Sequence, residues 1–153
     1  MGEGRALAEI NVMRLRTSID DPVLRPVLAA VDRLNALAEA SPGFVWRLPA
    51  PEGHFTAFGP DPSLVATLSV WRSYADLHAF TYRSLHGSFT KNRRRWFLPV
   101  GGPTTALWWI PAGERPTVDD GRRRLERVRR HGPSPEAFTL LRQFDDRRQP
   151  VRP

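Results

Sequence analysis

The chain has 153 residues, 41% of them hydrophobic and 25% charged, with no cysteine and a net charge of +7. That length suits one domain with a modest core, and the lack of cysteine excludes thiolate nucleophiles, iron–sulfur clusters and cysteine-ligated zinc. No run approaches the roughly 18 apolar residues of a membrane span, and the first five residues lack the apolar stretch of a secretory signal, so cytoplasmic residence is expected.

Residues 7–16 alternate, with Ala8, Ile10 and Val12 on one side and Glu9, Asn11 and Met13 on the other, which predicts a first strand. Its second side is polar in the middle, so Asn11 faces either solvent or a cavity. Asp20, Asp21 and Pro22 start a helix that continues through Leu24, Val27, Leu28, Val31, Leu34 and Ala38, and Ser41, Pro42 and Gly43 end it. Phe44 to Leu48 reads as a second strand, with Phe44, Trp46 and Leu48 on one face. Residues 49–63 form a long loop rich in proline and glycine. Its His54, Phe55 and Phe58 either close over a ligand or pin the loop to the core.

Residues 64–71 predict a third strand, with Leu64, Ala66, Leu68 and Val70 opposed to Val65, Thr67, Ser69 and Trp71. Ser73 and Asp76 form a capping box that opens a long helix through about Phe97, pausing near Gly87. Tyr74, His78, Tyr82, Leu85, Phe89 and Trp96 recur along it at helical spacing. Residues 104–110 predict a fourth strand, in which the adjacent Trp108 and Trp109 point to opposite faces. Thr117 with Asp120 caps an arginine-rich helix to about Arg130, residues 137–144 read as a last strand, and residues 145–153 as a loose tail.

All the positive charge but Lys91 is arginine. Arg122, Arg123, Arg124, Arg127, Arg129 and Arg130 surround their helix, which favours a solvated helix over a nucleic-acid surface. The charge remains available to attract an anionic small molecule.

Strand, helix, strand, strand, helix, strand is the split βαβ or ferredoxin-like order. It predicts an α+β domain over residues 1–144: an antiparallel sheet with helices on one face and an extra C-terminal helix and strand. The open face then needs a cover, and two such sheets packed together would make a dimeric α+β barrel with a pocket beside Asn11, Thr67 and Ser69. Homodimerisation is therefore expected.

The chain to about Phe144 resembles the domain-of-unknown-function 3291 family. The resemblance runs through Ser69-Val70-Trp71, through Leu77, Phe80, Tyr82, Ser84 and His86, through Arg95-Trp96-Phe97, through Trp108-Trp109 followed by Pro111-Ala112-Gly113, and through residues 132–138. It implies the dimeric α+β barrel superfamily, which also includes small antibiotic-biosynthesis monooxygenases and haem-degrading monooxygenases. The latter carry an asparagine on the first strand and an axial histidine, to which Asn11 and His86 are similar. Where they have a helical tryptophan, this chain has Asp76 and Leu77. Haem ligation by His86, with Arg94 or Arg95 on a propionate, stays open.

Three functional readings follow. The first is a small-molecule tailoring enzyme acting on an aromatic or polyketide-like substrate by oxygenation, cyclisation or isomerisation. It needs no cofactor: Tyr82 and His86 move protons, and Asn11 or Arg95 stabilises an enolate. Phe44, Trp46, Thr67, Ser69, Trp71, His78, Trp96, Trp108 and Trp109 are its candidate substrate contacts. The second is a haem protein with His86 as axial ligand, and the third a non-catalytic ligand-binding module. No metal cluster or phosphate loop is present in the pattern.

Overall fold

The computed structural model describes residues 4–50, 55–84 and 93–152. In chain order these form β1 (Arg5–Leu15), a 3-10 turn (Pro22–Leu24), α1 (Arg25–Glu39), β2 (Phe44–Arg47), β3 (Thr56–Ala57) and β4 (Leu64–Trp71). There follow α2 (Tyr74–Ser84), α3 (Arg93–Trp96), β5 (Phe97–Leu98), β6 (Thr105–Pro111) and α4 (Val118–His131).

β1 is the centre of the sheet. It pairs antiparallel with β4, from Leu7 opposite Trp71 to Arg14 opposite Leu64. Its other edge pairs antiparallel with β6, from Arg5 opposite Pro111 to Asn11 opposite Thr105, and then with β5 at Arg14 and Leu15. β2 and β3 share the outer edge of β4. The principal order β2-β4-β1-β6, with α1 and α2 as the two connections, is the ferredoxin-like arrangement expected from the element order.

Period-two alternation sends β1 into two separate cores. Ala6, Ala8, Ile10 and Val12 join Ala66, Leu68, Val70, Ala106, Trp108 and Ile110 on one face. Leu7, Met13 and Leu15 lie on the other, against Val27 and Val31 of α1, Ala38 at its end and Leu77 of α2. β1 is thus buried on both sides, and each fully buried Leu, Ile or Val contributes about 1.5–3 kcal/mol.

The face opposite α1 and α2 is covered by α4, through Leu125 and Val128 in the first core. Gly121 lets the helix descend that far: a Cβ there would meet Ile10 Cδ1 at 2.4 Å. The cover that two-sided apolarity is expected to require from a second subunit is therefore supplied, over this core, within the chain. The arginines of α4 spread around it because one stripe alone, Gly121, Leu125 and Val128, is buried.

Two predicted elements differ. Residues 137–144 form no strand; isolated bridges join Leu107 to Phe138 and Phe144 to Pro150, and between them a turn in which Thr139 and Arg142 exchange hydrogen bonds interrupts any ladder. The residues expected as a loose tail fold back, with the Val151 N–H donating to Gln143 O at 2.9 Å and Arg148 paired with Glu136. Within residues 49–63, Thr56 and Ala57 pair briefly with β4, while Phe55 and Phe58 are buried and pin the loop to opposite faces of the sheet. No helix among the described residues is long and apolar enough to cross a membrane.

Candidate functional site

Between the sheet and the α1–α2 layer lies a cavity of about 300 Å³. Its floor is the second face of the central strands: Glu9 and Asn11 of β1, Thr67, Ser69 and Trp71 of β4, and Thr105 of β6. Leu34 and Asn35 of α1, Phe80 and Ser84 of α2, and Arg47 at the end of β2 form walls. A volume of this order accommodates part of a drug-sized ligand against an apolar wall with a few convergent polar groups.

The register brings the polar residues together. Asn11 stands between Thr67 on β4 and Thr105 on β6, and Glu9 is directly opposite Ser69. The Thr105 hydroxyl donates to Asn11 Oδ1 at 2.7 Å. With that oxygen occupied, the Asn11 amide N–H groups serve Glu9 and the cavity. Trp71 Nε1 donates to Ser69 Oγ at 3.0 Å, so the Ser69 hydroxyl proton is left for another acceptor. Trp71 itself is fully buried, stacked on Phe80 at 5.1 Å and edge-on to Phe44 at 5.6 Å.

Glu9 is the group that residue-pattern reasoning passes over. It is 7% exposed in the middle of the most buried strand. Burial pushes its carboxyl up from the ordinary 4.5 to about 7, against the opposing hydrogen bond with Asn11. The available signal is its place in the alternation: a carboxylate two residues before Asn11, on the face already suspected of lining a cavity. A group that changes protonation near neutrality inside a cavity is suited to proton transfer.

The other predicted residues scatter. Thr67, Ser69 and Trp71 share the cavity with Asn11. Trp46 and Trp108 pack in the core of the opposite face, against Arg115 and Arg124 respectively. Trp96 is buried beside Phe97, Phe44 packs against Trp71, and Trp109 donates through Nε1 to Phe144 O at 2.8 Å. None of these three lines the cavity. His78, Tyr82 and Arg95 are exposed and outside it.

The reason lies in the phase of α2. Leu77, Phe80, Thr81 and Ser84 form an equally regular stripe, and their apolar bodies take the sheet side, leaving the stripe of His78 and Tyr82 in solvent. Half of the expected capping box is present at its start: the Asp76 N–H donates to Ser73 Oγ at 3.2 Å, while the Asp76 carboxylate accepts from the Ser73 hydroxyl, at 3.0 Å. His86 and His54 lie outside the described residues. Among the described residues no imidazole lines the cavity, and no cluster of three or more metal-ligating side chains occurs.

Strand order, antiparallel register and a cavity under one helical layer define a ferredoxin-like α+β domain with space for a small molecule. Within that class, the chain belongs to the family described as Domain of unknown function (DUF3291), whose model matches residues 6–152. No curated protein sequence matches it. Similar solved structures include PA3566 from Pseudomonas aeruginosa, at 11% identity and a TM-score of 0.49, covering 74% of this chain and 100% of that one. A mutant form of SnoaB, a cofactor-independent oxygenase from Streptomyces nogalater, matches at 10% identity and a TM-score of 0.47, covering 72% and 95%. NE2512 from Nitrosomonas europaea, a protein of unknown function, matches at 18% identity and a TM-score of 0.44, covering 76% and 99%.

Proposed function

We propose that this chain is a small-molecule enzyme that moves a proton on an aromatic or polyketide-like substrate, with Glu9 as its acid–base group. The observation that carries this reading is the buried Glu9 carboxyl on the cavity floor, held to about 7 by desolvation and adjacent to Asn11. At neutral pH a substantial fraction is carboxylate, able to accept a proton from a carbon next to a carbonyl. The other fraction is acid, able to return it elsewhere.

The electron pair left by that proton passes to the carbonyl oxygen as an enolate. Asn11 Nδ2 and the Ser69 hydroxyl are the cavity donors suited to receive it, while Arg47 on the wall is paired with Glu39 at 2.6 Å. Trp71 and Phe80 supply an aromatic wall. Isomerisation and cyclisation complete themselves from this enolate, whereas oxygenation adds molecular oxygen to it; the first step is common to all three.

The ligand expected for haem, His86, lies outside the described residues, and the described lining of the cavity holds no histidine. No step here uses haem. Homodimerisation stays part of the proposal, and sedimentation that shows only a 17.4 kDa species removes it.

The test is deuterium exchange at the activated carbon of 2-tetralone in D₂O, followed by NMR. The protein should accelerate exchange along a pH profile rising through about 7, and Glu9→Gln should lower the rate about 10²- to 10⁴-fold. Equal rates for both proteins would refute the role of Glu9. Binding without acceleration by the native chain would leave the binding-module reading.

A further inference from the structure

A second hollow, of about 400 Å³, adjoins the cavity. The two share Val12, Met13, Arg93 and Thr104 in their linings. The second is bordered by Arg14, Arg16, Arg93 and Arg94 around an apolar base of Phe97, Leu98 and Pro99, with no carboxylate among its described lining. Arg14 is engaged, bonded to Asp61 at 3.1 Å and to Ser63 at 2.8 Å. Among the described residues, Arg16, Arg93 and Arg94 have no acidic side chain within ion-pair distance. Arg93 lies over the Phe97 ring at 5.8 Å, so the apolar and cationic parts of this hollow are contiguous.

Guanidinium groups gathered without counter-charges repel one another, and an arriving anion relieves that repulsion while gaining charge-assisted hydrogen bonds. Arg47, Arg122, Arg123, Arg127 and Arg148 each meet a carboxylate, and among the described residues other arginines such as Arg25 and Arg72 meet none; what sets Arg16, Arg93 and Arg94 apart is that they border one hollow.

We infer that the substrate is an anion, with a carboxylate or phosphate held by Arg16, Arg93 and Arg94 and an apolar body entering the cavity between Met13 and Thr104. This rests on the proton-transfer reading above and adds the substrate class: an aromatic ketone bearing an anionic group at the end remote from the reacting carbon. The separation of charge anchor from reacting carbon also gives orientation, since a neutral analogue has no reason to enter one end first.

The experiment measures dissociation constants by quenching of tryptophan fluorescence for 2-naphthoate, 2-naphthyl phosphate and methyl 2-naphthoate. The native chain should bind one of the anions about tenfold or more tighter than the ester, with the advantage shrinking as salt rises. Whichever anion is preferred identifies the group. The triple variant R16Q/R93Q/R94Q, altered at exposed side chains and relieved of three like charges, should melt no lower than the native chain and lose that advantage. An ester that binds as well as both anions, an advantage that survives the triple variant, or no binding by any of the three overturns the inference. Glu9→Gln separates the two claims: it should retain anion selectivity while losing deuterium exchange, so either can fail without the other.

Discussion

Glu9 couples the site to stability. Its carboxyl rises from 4.5 to about 7 on folding, so between those values the native chain holds a proton that the unfolded chain has released. Stability associated with this group is full below about 4.5, declines as pH rises, and is lost above about 7. The loss is about 3–3.5 kcal/mol at most, from about 1.36 kcal/mol per pH unit. Glu9→Gln should therefore be the more stable protein at pH 8 and should flatten the decline, as urea denaturation at pH 4.5, 6 and 8 would show. A native chain whose stability does not fall across that window would place the Glu9 carboxyl in its ordinary range. Ser69→Ala makes a separate claim: it leaves the buried Trp71 Nε1 without its acceptor and should cost about 1–3 kcal/mol in the same assay.

At the scale of elements, α4 lies against the sheet through a glycine. Alanine at position 121 would gain about 1 kcal/mol in helix propensity. Its Cβ would also stand 2.4 Å from Ile10 Cδ1 and 3.2 Å from Ile10 Cβ, and the branched side chain can move only its tip. The clash wins, so Gly121→Ala should lower stability by about 1–3 kcal/mol, and in an Ile10→Ala background, itself destabilised by the cavity, the same change should cost less. Thermal melts of the single and double variants decide it; a more stable Gly121→Ala would show that α4 does not press on β1.

The strongly periodic elements are legible in the amino-acid sequence alone. β1, β4, β6 and the Thr117–Asp120 cap of α4 announce themselves because alternation and capping are local properties. The phase of α2 is not, because two stripes on it have helical spacing and only the packed sheet chooses between them. Alternation alone puts Asn11, Thr67 and Ser69 on one face, but the pocket expected there between two packed sheets lies instead under α1 and α2, and Glu9 gains its meaning from burial, which no local pattern states. β5 is two residues long and exists because β1 offers it an edge.

For the whole molecule the excess charge matters most. Exposed ion pairs such as Arg14–Asp61 and Arg123–Asp120 contribute about 0–1 kcal/mol each, whereas a net +7 repels itself over the entire surface. Screening should relieve more than it removes. The melting temperature is therefore expected to rise by about 2–4 °C between 10 and 200 mM sodium chloride, and a fall would mean that the paired carboxylates dominate.

The central position of β1 has a consequence for synthesis. β1 leaves the ribosome ahead of both its partners, residues 64–71 on one edge and 105–111 on the other, and ahead of the helix ending at His131 that seals it. Leu7, Ile10 and Val12 must therefore emerge long before their neighbours exist. The nascent chain carries this apolar segment unsheltered until residues 64–71 and then 105–111 have emerged, a natural point of engagement for a ribosome-associated chaperone.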